Sequence, residues 1–255
     1  MRRAAILGAA LLGLIIGPAA AKEWKEVRIA TEGAYKPFNY YDANKNLVGL
    51  DIDLANAVCA RMKVKCTFTA QDWDGLIPGL QANKYDAIVA SMSSTPERKK
   101  QVDFTTKYYS APFAFVAKKG AKLADTSPAA LAGKTIGAQA GTVMEQFVEE
   151  KYGKTAKTKF YRTQDEANLD LAAGRLDVVL GEKFPLYDWL QTDGKGFEIV
   201  GKDLADKKYT GEGIGIAVRK TDKDLLARLN KALAEVRADG TYEKITKKYF
   251  PFRID

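Results

Sequence analysis

The 255-residue chain contains no histidine and only two cysteines, Cys59 and Cys66. Without histidine, Ser-His and Cys-His nucleophile pairs and histidine-ligated zinc are excluded. Two cysteines alone make a poor metal site, so no metal and no cofactor is expected and no catalytic residue is assigned. Beyond residue 21 no apolar run is long enough to span a bilayer. A pattern of stacking aromatics and arginines is missing too. The net charge of +8 comes from lysines scattered among acids, so it reads as a solvated surface and no nucleic-acid partner is expected.

What is present begins with a targeting signature. Arg2 and Arg3 form a positive start, Ala4 to Ile16 an apolar stretch, and Ala19, Ala20 and Ala21 a small-residue cleavage site. Residues 1–21 are therefore expected to be a signal peptide, with a mature chain from near Lys22 and, without a nearby cysteine, no lipid anchor. In an exported protein the two cysteines predict one structural disulfide, worth about 2–3 kcal/mol for so short a loop.

The mature chain alternates strand-like and helix-like stretches, which predicts α/β architecture with mostly parallel sheets. Strands are expected at Val27–Thr31, Cys66–Ala70, Ala87–Ala90 and Thr135–Ala138. Helices are expected at Leu54–Met62, Trp73–Leu80, Asp222–Ala238 and Tyr242–Tyr249. The stripe Leu225, Leu226, Leu229, Leu233 and Val236 should face a core. Leu80 to Val89 is echoed by Leu171 to Leu180, each with a helix end, a basic residue, an Asp and a buried strand. In register, Ser91 then corresponds to Glu182, and both fall just past a strand's carboxyl end, where open α/β sheets bind ligands. Phe113–Lys118 and Ile214–Arg219 look like two crossings between lobes. Gly211, Gly213 and Gly215 fit a hinge strand better than a dinucleotide fingerprint, which needs a strand–turn–helix setting.

The most informative stretch runs from Asp86 to Arg98. Thr95 has the character of a helix N-cap, Pro96 of the first helical position, and Ser91, Ser93 and Ser94 place hydroxyls before it. With Arg98 just inside, the segment suits a carboxylate or phosphate as well as it suits plain capping. Thr142 and Glu145 form a second candidate cap, a capping box after the loop Gln139-Ala140-Gly141. If two lobes face each other, Arg98 supplies positive charge and Glu182 negative charge across the cleft, a match for a zwitterionic amino acid. Glu32 adds an acid for a cationic side chain, and Tyr35 and Trp73 offer aromatic walls, with Trp73 expected to be exposed in the cleft.

The stretches Ala30–Phe38, Gly49–Leu54, Trp73–Pro78, Ser91–Arg98 and Ala238–Tyr242 resemble the family 3 solute-binding proteins of polar amino-acid ABC importers, in particular the lysine/arginine/ornithine-, histidine- and opine-binding group. The resemblance implies a two-lobed type II periplasmic binding protein joined by a two-strand hinge. Lobe 1 would hold residues 23–112 and 217–255, and lobe 2 residues 113–216, with hinge strands near 113–118 and 214–219. It implies a periplasmic monomer that delivers an amino acid or opine to ABC transporter membrane subunits. Ligand-binding residues would be Glu32, Tyr35, Trp73, Ser91, Ser93, Arg98, Gln139, Thr142, Val143 and Glu182. Arg98 and the Ser93 and Val143 amides would take the α-carboxylate, Glu182 and Ser91 the α-ammonium, and Glu32 the distal group. Cys59 and Cys66 match the disulfide of the lysine/arginine/ornithine group. Ala90, Gln139, Val143, Met144 and the long Glu182 depart from the basic amino-acid pattern. The alternatives are a glutamine-like polar amino-acid binder, a dehydratase-type enzyme on the same scaffold using Glu182 or Glu32, and a sensory ligand receptor.

Overall fold

The computed structural model describes residues 23–123 and 125–254; the expected signal peptide lies outside them. In chain order, the first elements are β1 (Glu26–Thr31), β2 (Ala34–Tyr35), β3 (Asn39–Tyr41), β4 (Leu47–Val48), α1 (Leu50–Met62) and β5 (Lys65–Ala70). A 3-10 turn (Trp73–Gly75), α2 (Leu76–Gln81), β6 (Ala87–Ile88), α3 (Pro96–Gln101) and β7 (Asp103–Phe104) follow. Then come β8 (Phe113–Lys118), β9 (Thr135–Gln139), α4 (Val143–Tyr152), β10 (Lys157–Tyr161), α5 (Gln164–Ala172), β11 (Val178–Glu182), α6 (Lys183–Gln191) and β12 (Phe197–Leu204). The chain closes with α7 (Lys207–Thr210), β13 (Ala217–Val218), α8 (Lys223–Ala238) and α9 (Thr241–Thr246).

Two five-stranded sheets carry the fold, ordered β5-β1-β6-β13-β7 and β10-β9-β11-β8-β12. In each, three strands run parallel and the fourth is antiparallel to its neighbours. The sequence echo has a physical basis in this likeness. Asp86 Oδ2 accepts the Arg28 amide at 3.1 Å at the start of β1, and Asp177 Oδ2 accepts the Thr135 amide at 2.8 Å at the start of β9. Each Asp thus fixes the register of a neighbouring parallel strand.

Helices α1, α8 and α9 cover one face of the first sheet, with Leu54 and Val58 packed among Leu225, Leu229, Leu233 and Val236. Each such leucine contributes roughly 1.5–3 kcal/mol through burial. Leu76 and Leu80 of α2 cover the other face. Around the second sheet, α4 packs on one side through Val143, Met144, Phe147 and Val148, and α5 and α6 on the other through Leu171 and Leu186. The disulfide Cys59–Cys66 ties α1 to β5, with the two Cα atoms 6.2 Å apart.

Several predicted boundaries move. Helix α1 starts at Leu50, four residues ahead of the predicted Leu54, because Asp51 is fully buried and hydrogen-bonded inside the fold. The Trp73–Leu80 helix splits into a 3-10 turn and α2, with Pro78 in the first turn of α2, where its missing N–H costs little. The predicted strand Ala87–Ala90 is laddered only at Ala87–Ile88, and the last helix ends at Thr246. The predicted strand Ile214–Arg219 is laddered at β13, and Ile214 pairs through isolated bridges to Ser93 and Tyr109. Strand β8 lies inside the second sheet and β13 inside the first. The segments that precede these two strands pair with each other at Ile214. Tyr108 N–H donates to Ile214 O at 2.8 Å, and Ile214 N–H to Tyr109 O at 2.9 Å.

Candidate ligand-binding site

The parallel strands of both sheets deliver their carboxyl ends to one place. Glu32 follows β1, Ala90 and Ser91 follow β6, Gln139 ends β9 and Glu182 ends β11. These residues, with Tyr35, Trp73, Ser93, Arg98, Thr142, Val143 and Met144, line one cavity. Every residue predicted to bind ligand is therefore on this cavity, and Arg98 and Glu182 share it.

Arg98 is placed by the predicted cap. Thr95 Oγ1 accepts the Arg98 amide at 3.2 Å, and Pro96 opens α3. The guanidinium lies 5.1 Å from the centre of the Trp73 ring, and Nη1 donates to Ser93 O at 3.2 Å. Among the described residues it has no carboxylate at ion-pair distance. Burial lowers its pKa to about 10, opposed by the Glu182 charge, so it remains a cation at neutral pH.

Glu182 is 3% exposed and accepts the Tyr109 hydroxyl at 3.1 Å. Burial pushes its carboxyl up to about 8, although hydroxyls of Tyr109 and Tyr35 pull it down; Asp51 repels its charge and Arg98 attracts it. Glu32 is 8% exposed, and Gln139 Nε2 donates to its Oε1 at 2.5 Å. Burial again dominates and lifts it to about 7, against the Gln139 hydrogen bond. The cavity thus holds one guanidinium and two carboxylates, neither of which has a cation at ion-pair distance among the described residues.

The remaining side chains close the walls. Trp73 is half-buried, not exposed, and its Nε1–H donates to Gly141 O at 2.9 Å. Thr142 Oγ1 donates to Gln139 O at 2.6 Å and accepts the Glu145 amide at 3.4 Å. The predicted capping box is half formed, since the Glu145 carboxylate takes the Gly141 amide instead of that of Thr142. Ser91 Oγ donates to Asp51 at 3.0 Å, so its proton points away from the cavity. Asp51, Tyr108, Tyr109 and Asn39 were missed from sequence. Helical spacing held the signal for Asp51, which shares a face with Ala55, Val58 and Met62.

Two α/β sheets whose strand ends enclose a charged cavity define a ligand-enclosing binding protein. The chain matches the bacterial extracellular solute-binding proteins, family 3, over residues 27–252, and belongs to that family. It is 45% identical to the L-arginine-binding protein of Pseudomonas aeruginosa over 257 residues, covering 100% of this chain and 98% of that protein. It is 43% identical to the lysine/arginine/ornithine-binding periplasmic protein of Escherichia coli K12, covering 89% and 88%. A Salmonella typhimurium periplasmic binding protein described for its high arginine specificity has a similar structure (TM-score 0.82, 36% identity, 89% and 99% covered). So does an ancestral arginine-binding protein bound to glutamine (TM-score 0.81, 40% identity, 91% and 100% covered). The fold is that of type II periplasmic binding proteins, and these relatives are binding proteins, not enzymes.

Proposed function

We propose that the chain captures one cationic L-α-amino acid in the periplasm and hands it to the membrane subunits of an ABC importer. The observation that carries this reading is the charge count on a single cavity: one guanidinium against two buried carboxylates. That set complements an α-carboxylate, an α-ammonium and a further positive group. Arg98, with the Ser93 and Val143 amides, receives the carboxylate. Glu182 receives the ammonium beside Ser91, and Glu32, held by Gln139, reads the distal cation. Tyr35, Trp73 and Thr142 complete the enclosure. Arginine fits first, then lysine, ornithine and histidine; an opine is the outer limit. The relatives named for arginine and for lysine/arginine/ornithine support the same class.

Capture proceeds by closure of lobe 1 (residues 23–112 and 217–255) on lobe 2 (113–216) about the crossing segments near 113–118 and 214–219. The protein works as a monomer, exported by residues 1–21. Closure removes water from the charge pairs, where each is worth more than at a surface. Micromolar binding needs about 8 kcal/mol, within reach of two charge-assisted anchors and aromatic burial.

A thermal-shift screen tests the reading with L-arginine, L-lysine, L-ornithine, L-histidine, L-glutamine, octopine and nopaline. Stabilisation by the basic amino acids is expected; stabilisation by L-glutamine alone, or by none, overturns it. A second, enzymatic reading has one observation in its favour: Glu182 is held largely protonated at neutral pH and so has the form of a general acid. Recovery of every bound compound unchanged rules that reading out.

A further inference from the structure

Asp51 lies behind the cavity. It is fully buried at the start of α1 and does not line the cavity itself. Three donors converge on it. The Tyr108 hydroxyl donates to Oδ1 at 2.8 Å, and Asn39 Nδ2 and Ser91 Oγ donate to Oδ2 at 2.8 and 3.0 Å. Each donor leads to a different part of the site. Asn39 Oδ1 accepts the Gly33 amide at 2.8 Å and so pins the turn that follows Glu32. The Tyr108 hydroxyl also accepts the Ser91 amide at 3.2 Å. Its neighbour Tyr109 donates to Glu182 at 3.1 Å. Ser91 itself has φ of 50°, a left-handed conformation that costs a non-glycine residue energy unless its surroundings enforce it.

Burying a carboxylate this completely is expensive, and an apolar side chain would pack more cheaply. The three donors compensate Asp51, and in doing so they fix two bonds to Ser91 and one to the Glu32 turn. We propose that Asp51 is a positioning residue: it holds Ser91, and through Tyr108 the Tyr109–Glu182 pair, in the geometry that receives the ligand's α-ammonium. This inference rests on the amino-acid reading above. Asp51 touches no ligand and acts through Ser91 and the tyrosines. Its charge also repels that of Glu182, which increases the demand of that wall for a cation.

Two probes separate positioning from mere folding: L-arginine, and 5-guanidinopentanoic acid, which is arginine without its α-ammonium. Both are titrated by calorimetric competition against wild type, Asp51→Asn and Tyr108→Phe. Asp51→Asn is nearly isosteric but removes the charge and turns donors against donors. It is expected to weaken L-arginine by about tenfold or more while leaving the desamino compound within about twofold. Tyr108→Phe removes one hydroxyl of the network. It is expected to shift the ratio of the two affinities in the same direction by a smaller factor, and it carries the test if Asp51→Asn does not fold. Equal losses for both probes, or an unchanged ratio in both variants, overturn the positioning role and leave the amino-acid reading intact. Failure of wild type to bind L-arginine, L-lysine, L-ornithine or L-histidine overturns both.

Discussion

The indole of Trp73 spans the cleft: from the elements of the first sheet its Nε1–H donates to the carbonyl of Gly141, at the head of α4 on the second sheet, at 2.9 Å. The fit is close on both sides. Gly141 has φ of 68°, and a Cβ there would lie 3.3 Å from Trp73 Cδ1. The same ring carries the Arg98 guanidinium on its face. Trp73→Phe keeps an aromatic wall and deletes the cross-cleft bond. One hydrogen bond is worth about 0.5–1.5 kcal/mol net, so L-arginine should dissociate roughly two- to tenfold faster with little change in association rate. Stopped-flow fluorescence checks this; an unchanged dissociation rate shows that the bond does not hold the cleft shut.

Arg98 is the cavity's cation and already donates to Ser93 O, which leaves its other donors for a ligand carboxylate. Arg98→Ala should weaken L-arginine by about 100-fold or more, since an anion would enter a desolvated site without a counter-charge. Arg98→Lys restores charge but not the planar fork and should recover only part of the affinity. Calorimetric titration distinguishes the three proteins; equal affinities remove Arg98 from the site.

The buried carboxyls give a pH signature of definite sign. Burial raises Glu182 to about 8, Glu32 to about 7 and Asp51 to about 6, all above their unfolded values. The folded, ligand-free protein therefore holds protons that the unfolded chain has released, and these groups lower its stability as pH rises from about 5 to 8. Glu182→Gln should flatten that slope. A bound cation favours the ionised carboxylates, so L-arginine should raise the melting temperature more at about pH 8 than at about pH 5. Thermal melts across the range test both, and a ligand shift independent of pH contradicts the assignment.

The two echoed aspartates should differ in what they cost. Asp86 has 6% of its side chain exposed and meets Arg28 at 2.9 Å and the buried Arg219 at 3.0 Å. Asp177 has 43% exposed and faces Lys134 at 3.5 Å. Removing Asp86 takes one of two carboxylates from the buried Arg219, which keeps Asp222 at 2.6 Å, and removes the partner of Arg28, so Asp86→Ala should cost about 2–3 kcal/mol, while Asp177→Ala should cost about 1 kcal/mol. Chemical denaturation of the two variants gives the comparison; equal losses show that register, not burial, sets the cost.

The local signals were legible where chemistry sits close in sequence. Thr95, Pro96 and Glu97 mark α3 and so place Arg98, and the echo of Asp86 by Asp177 aligns Ser91 with Glu182 at the ends of parallel strands. What was not legible depends on distant partners. Asp51 resembles a solvated acid until Asn39, Ser91 and Tyr108 are brought to it. Tyr109 gains meaning only when the fold brings it to Glu182, 73 residues on. Helix α5 was legible only at its end, near Leu171, because its buried Gln164 donates to Asn168 at 3.0 Å instead of forming an apolar stripe, although Thr163 and Glu166 form a complete capping box.

The charge count on the cavity is tested most directly by titrating the wild-type protein at about pH 7.5 with L-arginine and with L-citrulline, which has nearly the same shape and no distal charge. L-arginine is expected to bind about 100-fold or more tightly than L-citrulline, with Glu32→Gln reducing that preference. Equal affinity for the two, or a preference untouched by Glu32→Gln, contradicts a site built for a cationic amino acid.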